Sequence, residues 1–153
     1  MLSKAIEAVK EFLVDKNIDV SIPFSELTPT NDMQQLRAVM RQHAEYALRR
    51  AQDGDVRMLA LSLVIEEVGE LIEAVLAADE TETMDAIGDS LYVIIGLALR
   101  LQLDAADAFI AVHESNMTKA PGSPEQPRLD GEKKGETYVA PNFDRATSLE
   151  DIT

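Results

Sequence analysis

Residues 55–101 hold two helix-length segments that are each apolar on more than one face, joined only by "ADETET" (78–83). Segments so joined must pack antiparallel, and each keeps an apolar side that some further surface has to cover. The first starts from "DGD" (53–55), which reads as a C-cap followed by an N-cap, and runs to about Ala78. The second spans about Glu82 to Leu101 and contains "LYVIIGLAL" (91–99), apolar all round.

The flanking sequence continues the helical pattern. Ser3 can cap a first helix, about Lys4 to Lys16, with Ile6, Val9 and Leu13 on one face. Pro23 and Pro29 make 17–31 an extended connection. Thr30 or Asn31 can then cap a second helix, about Asp32 to Gln52, whose stripe is Leu36, Val39, Met40, His43, Ala47 and Leu48. Asp104 caps a fifth helix that ends before Pro121. There is no repeat and no hairpin signal in this region. An aromatic content of 5% without tryptophan means a core of Leu, Ile, Val, Ala and Met, which suits helices. The expected fold is all-α, a bundle of about five helices around an antiparallel core pair, completed by oligomerisation. Residues 1–120 would form this domain. The Pro-, Gly- and charge-rich 121–153 would form either a disordered tail or a long loop that closes over the site.

Charge and composition exclude several functions. With 14 Lys and Arg against 28 Asp and Glu, the net charge of −14 repels a nucleic-acid backbone. A polyphosphate ligand would need a cation between itself and this surface. The absence of cysteine removes disulfides, thiolate zinc sites and thiol nucleophiles. Lys4, Glu7, Lys10 and Glu11 interrupt any signal-peptide core, and the longest apolar run is far short of the roughly 18 residues of a membrane span. A soluble cytoplasmic protein without membrane contact is expected.

At about 100° per residue, the third helix puts Leu61, Val64, Ile65, Val68, Ile72, Val75 and Leu76 on one side and Glu66, Glu67, Glu70 and Glu73 on the other. Such a face is ordinarily a solvated one. Here, however, it continues into Leu63 and Leu59, and no Lys or Arg lies between Arg57 and Arg100 to pair the acids at i+3 or i+4. Asp89, Asp85 and Glu82 share a face of the fourth helix just before its apolar stretch. Carboxylates crowded at the mouth of a dry helix pair take up protons unless a cation neutralises them, and hard oxygen donors in that number suit Mg²⁺ or Mn²⁺.

"EEVGELIEA" followed by "GDSLYVI" resembles the EExxE…ExxD signature of the MazG-like all-α nucleoside triphosphate pyrophosphohydrolases, a group related to phosphoribosyl-ATP pyrophosphohydrolase and the dimeric dUTPases. "VHESNMTKA" (112–120) resembles the group's Asn-x-x-Lys element, and "DGEKKGETYVAP" (130–141) its glycine- and lysine-bearing segment. The resemblance covers roughly residues 57–142. It implies that Glu66, Glu67, Glu70 and Asp89 bind Mg²⁺, with Glu67 activating water, that Asn116 and Lys119 approach the nucleotide, and that Lys133 or Lys134 reaches phosphate. The chain departs from the signature at Ala86, where the group has glutamate. Asp85, which shares a face with Asp89 at i, i+4, is the candidate replacement.

The activity expected is therefore Mg²⁺-dependent hydrolysis of a (d)NTP to the monophosphate and pyrophosphate, as in cleaning of the nucleotide pool, by a homodimer or a dimer of dimers. The N-terminal 56 residues and the 130–141 segment favour this over phosphoribosyl-ATP hydrolysis in histidine synthesis. Ala86 is the argument for a third reading, a non-catalytic metal-binding scaffold. His113, at i, i+3 from Asn116, is expected to pack between helices or lie at the surface rather than react, and His43, on the apolar stripe of the second helix, to pack.

Overall fold

Three helices begin on an aspartate whose carboxylate accepts from the first free amides, which is what the orphan N–H groups of a helix start require. Asp55 takes the amide of Arg57 at 3.2 Å, Asp79 that of Glu82 at 3.1 Å, and Asp104 those of Ala106 and Asp107 at 2.8 and 3.0 Å. The computed structural model describes residues 2–16, 23–30, 34–120 and 135–144. Among them the elements are α1 (Leu2–Asp15), a 3-10 turn (Phe24–Glu26), α2 (Gln34–Gln52), α3 (Val56–Ala77), α4 (Glu80–Arg100) and α5 (Ala105–Met117), and no strand occurs. The chain is all-α.

The departures from the sequence reading are local. Ser3 lies inside α1 rather than capping it. The Thr30 amide donates to the carbonyl of Leu76 at 2.8 Å, tying the extended connection to the end of α3, while Asn31 and Asp32 fall outside the described residues. Helix α4 starts two residues earlier than expected because Asp79, not the residue before Glu82, is its cap.

Two compact units make up the chain. The first, Pro23–Leu101, contains α2, α3 and α4, with α3 packed antiparallel against both neighbours. Only Ala78 and Asp79 join α3 to α4. Ala78 takes the left-handed conformation, φ 53°, and its amide reaches back to the carbonyls of Ala74 and Val75, closing α3 with a residue other than the usual glycine. So short a link fixes the register. Four, seven and eleven residues back from Ala78 lie Ala74, Leu71 and Glu67; the same steps forward from Asp79 reach Thr83, Ala86 and Ser90. Thr83, Ala86 and Ser90 are the buried residues of α4, so they form the row that faces α3.

The core of this unit is made of small side chains. Ala47, Ala60, Ala74 and Ala86 are buried, as are Ser62, Thr83 and Ser90, whereas no large side chain is fully enclosed. Small residues let helix axes approach, but the larger apolar groups are left outside the seams. Outside that buried row, apolar residues of α4 and its C-cap repeat at heptad spacing: Met84, Leu91 and Ala98 alternate with Ile87, Ile94 and Leu101. Met84 is 70% exposed and Leu91 42%. His43, placed on the apolar stripe of α2 by its spacing, is also exposed, as are Val39 and Leu48 on the same stripe. The packed side of α2 is narrower than the 3.6-residue period suggests: Ala47 is buried, and Met40 lies against Gly69 of α3, its Cβ 3.7 Å from where a side chain there would begin.

The second unit joins Met1–Ile22 to Gln102–Thr153, with α1 packed against α5. Lys16, buried at the end of α1, donates to the carbonyl of Met117 at 2.9 Å, satisfying the C-terminus of α5, and pairs with Asp15. The described stretch 135–144 is fastened to the same helix end. Ser115 donates its hydroxyl to Val139 O at 2.7 Å, Thr137 donates to Thr118 O at 2.9 Å, and the Val139 amide donates to the Thr118 hydroxyl at 2.9 Å. No helix among the described residues is long and apolar enough to cross a membrane.

Candidate functional site

The acids of the first unit lie along the flank where α3 meets α4. Glu67 is half-buried beside the seam, while Glu66, Glu70, Asp85 and Asp89 are exposed. Burial pushes the Glu67 carboxyl above the usual glutamate range, and the negative charges of Glu70, Asp89, Glu66 and Asp85 push it further. Carboxylates from both helices thus act on one side chain, the one the sequence marks as the base. Among the described residues, no ion pair involves any of these five groups.

The electrostatic gathering is looser than a formed metal site. No three Asp, Glu or His side chains among the described residues come close enough together to hold an ion. The donors are all hard oxygens, the right chemistry for Mg²⁺ or Mn²⁺, and flexible glutamates whose mutual repulsion is uncompensated splay apart. Ala86, only 6% exposed, lies opposite Leu71 in the buried row. A glutamate there would start from inside the seam, whereas Asp85 starts from the exposed flank.

Glu73 behaves differently from its neighbours. Arg41 of α2 comes within 3.8 Å of its carboxylate, and Arg37 donates to its backbone carbonyl at 3.4 Å. Spacing within one helix could not reveal a partner supplied by another; the i, i+4 pair of Arg37 and Arg41 outside the α2 stripe was the available signal. Beside these residues α2 and α3 enclose a groove of about 440 Å³, walled by Met40, Leu48, Leu59 and Leu63, with Glu66 and Glu70 along it. Leu59 and Leu63, which mark the acidic face as unusual, are therefore one wall of a concave surface.

In the second unit Asn116 and Lys119 are brought together: the lysine ammonium donates to the Asn116 carboxamide oxygen, and both side chains are half-buried. His113 of the same helix is 3.9 Å from Glu11 of α1, a packing position. Lys133 and Lys134 lie outside the described residues.

The raised Glu67 pKa has a consequence for stability. A folded-state pKa above the unfolded value means that the folded protein binds the proton more tightly. The associated stability is complete below the unfolded value and is lost as pH rises through the folded one. In chelator, acidification from neutral pH towards the carboxylate range should therefore raise the melting temperature, and by less in Glu67→Gln. Identical pH profiles would show an ordinary Glu67. At neutral pH, Mg²⁺ at a hundredfold its dissociation constant should restore about 2.7 kcal/mol, or roughly 5–10 °C in a chain of this size.

An all-α scaffold whose facing helices crowd carboxylates around one glutamate is that of the MazG-like all-α nucleoside triphosphate pyrophosphohydrolase superfamily. Within it, the family model for phosphoribosyl-ATP pyrophosphohydrolase matches residues 32–116, more than half of the chain, and the chain belongs to that family. No curated protein and no solved structure matches the chain. The matched segment runs from the start of α2 to the end of α5 and contains every acidic candidate and Asn116.

Proposed function

We propose that this protein is a divalent-metal-dependent pyrophosphohydrolase that converts a nucleoside triphosphate to the monophosphate and pyrophosphate. The observation that carries the reading is Glu67, half-buried, with its proton affinity raised by Glu70, Asp89, Glu66 and Asp85 from both helices. A base of this kind needs a pKa nearer neutrality than a free glutamate has.

Glu66, Glu70, Asp89 and Asp85 are the residues that would hold Mg²⁺ or Mn²⁺, and the ion would screen the polyphosphate and acidify water. Glu67 takes the proton of the attacking water. The α2–α3 groove sets an apolar wall, Leu59 and Leu63, beside two of the proposed metal ligands, Glu66 and Glu70. Lys119, oriented by Asn116, and the lysines at 133 and 134 supply positive charge for the phosphates.

The exposed heptad row of α4 supports a homodimer in which a second copy covers Met84, Ile87, Leu91, Ile94, Ala98 and Leu101. Two such dimers would make the tetramer.

A second reading, hydrolysis of phosphoribosyl-ATP, is favoured by the family whose model the chain matches. It uses the same acids on the same anhydride. The nucleoside triphosphate reading rests on what lies outside the match, namely the N-terminal residues and the segment after 116. Pyrophosphate release from each NTP, each dNTP and phosphoribosyl-ATP, with Mg²⁺ or Mn²⁺, decides between them. Release from at least one ordinary nucleotide is expected. Turnover of phosphoribosyl-ATP alone would replace the first reading by the second, and metal-dependent stabilisation without release from any substrate would leave a non-catalytic metal binder.

A further inference from the structure

Ser90 and Thr83 both present buried hydroxyls that no group in the described structure satisfies. Each residue is only 6% exposed, and both belong to the α4 row that faces α3. A helical serine normally escapes this penalty by donating to a carbonyl of its own helix, as Ser62 does to Leu59 O at 2.8 Å. Ser90 makes no such bond. An enclosed hydroxyl without a partner lowers stability, so its presence asks for a role.

The two hydroxyls differ in what lies opposite. Counted outward from the Ala78–Asp79 link of an antiparallel pair, Ala74, a methyl group, is the α3 counterpart of Thr83, and Glu67 that of Ser90.

We propose that Ser90 is a positioning residue for Glu67, its hydroxyl donating to one carboxylate oxygen as the side chain turns into the seam, so that the other oxygen is held towards the attacking water. The hydroxyl is free in the resting structure and closes on Glu67 in the substrate complex, where catalytic hydrogen bonds commonly tighten. A proton donor on one oxygen fixes the rotamer of a side chain that otherwise has three rotatable bonds. The inference rests on Glu67 being the base.

Ser90→Ala is the test, with Thr83→Val as its control. In chelator, both variants should melt at or above the wild-type temperature, since each removes an unsatisfied buried hydroxyl. With metal and substrate, Ser90→Ala should lower kcat about tenfold or more with KM unchanged, while Thr83→Val retains wild-type kcat. A residue that merely packs would move stability and rate together, and would slow the Glu67→Gln enzyme as much as the wild type. A positioning residue instead gives no further loss in the Glu67→Gln background. Wild-type kcat in Ser90→Ala, beside an active wild type and an inactive Glu67→Gln, overturns this inference alone. Full activity in Glu67→Gln overturns the assignment of the base and this inference with it.

Discussion

Glutamine at position 67 is expected to lower pyrophosphate release by about a thousandfold while leaving the helical content unchanged. General-base removal is worth about 10²–10⁴ in rate, and the proposed base is also the carboxylate whose proton affinity burial and the neighbouring acids raise. The fold has no stake in the charge. Glu67 makes no ion pair among the described residues, and an isosteric neutral amide relieves its repulsion by Glu70, Asp89, Glu66 and Asp85. Circular dichroism and a melting curve with chelator present, set beside a pyrophosphate assay with saturating Mg²⁺, give both halves of the expectation. Activity near wild type would remove Glu67 from the chemistry. A collapsed fold would mean that its packing, not its proton, is what the chain needs.

The second large effect is on assembly. Leu91 is 42% exposed at the middle of the α4 heptad row, with Met84 and Ala98 one heptad to either side and Ile87 and Ile94 nearby. Covering one leucine or isoleucine contributes about 1.5–3 kcal/mol, so a row of this length can hold a dimer together. Leu91→Glu replaces that gain with a carboxylate that must be desolvated in the interface, in a protein already carrying a net charge of −14. Each 1.4 kcal/mol is tenfold in affinity, so the dimer dissociation constant should rise at least about a hundredfold. Light scattering at several concentrations measures it. A wild type that is monomeric throughout, or an unchanged mass for Leu91→Glu, removes α4 from the interface.

What could be read in advance followed the range of each interaction. Asp55 and Asp104 were legible as caps because a capping carboxylate and its amide lie two or three residues apart. The acidic faces were legible because helical spacing alone puts Asp85 and Asp89 on one side of α4 and Glu66 and Glu70 on one side of α3. Arg41 was not, because its approach to Glu73 depends on how α2 lies against α3. Nor was the exposure of His43, which sits at a core spacing on α2, because which side of that helix is covered depends on how it lies against α3. The meaning of Ala86 also changed in three dimensions. In the sequence it marks a missing carboxylate; in the fold it is one of the small buried residues that bring α3 and α4 together.

Because Ala78 and Asp79 are all that joins α3 to α4, this chain has no slack in which to absorb an insertion or deletion there. One added residue, if taken into either helix, would advance that helix by about 1.5 Å and turn it by about 100°. The acids of that helix would then be turned away from the side they now share with the acids of the other. Length at this corner is therefore held as strictly as side-chain identity at the acids themselves, although neither residue of the corner need touch a substrate.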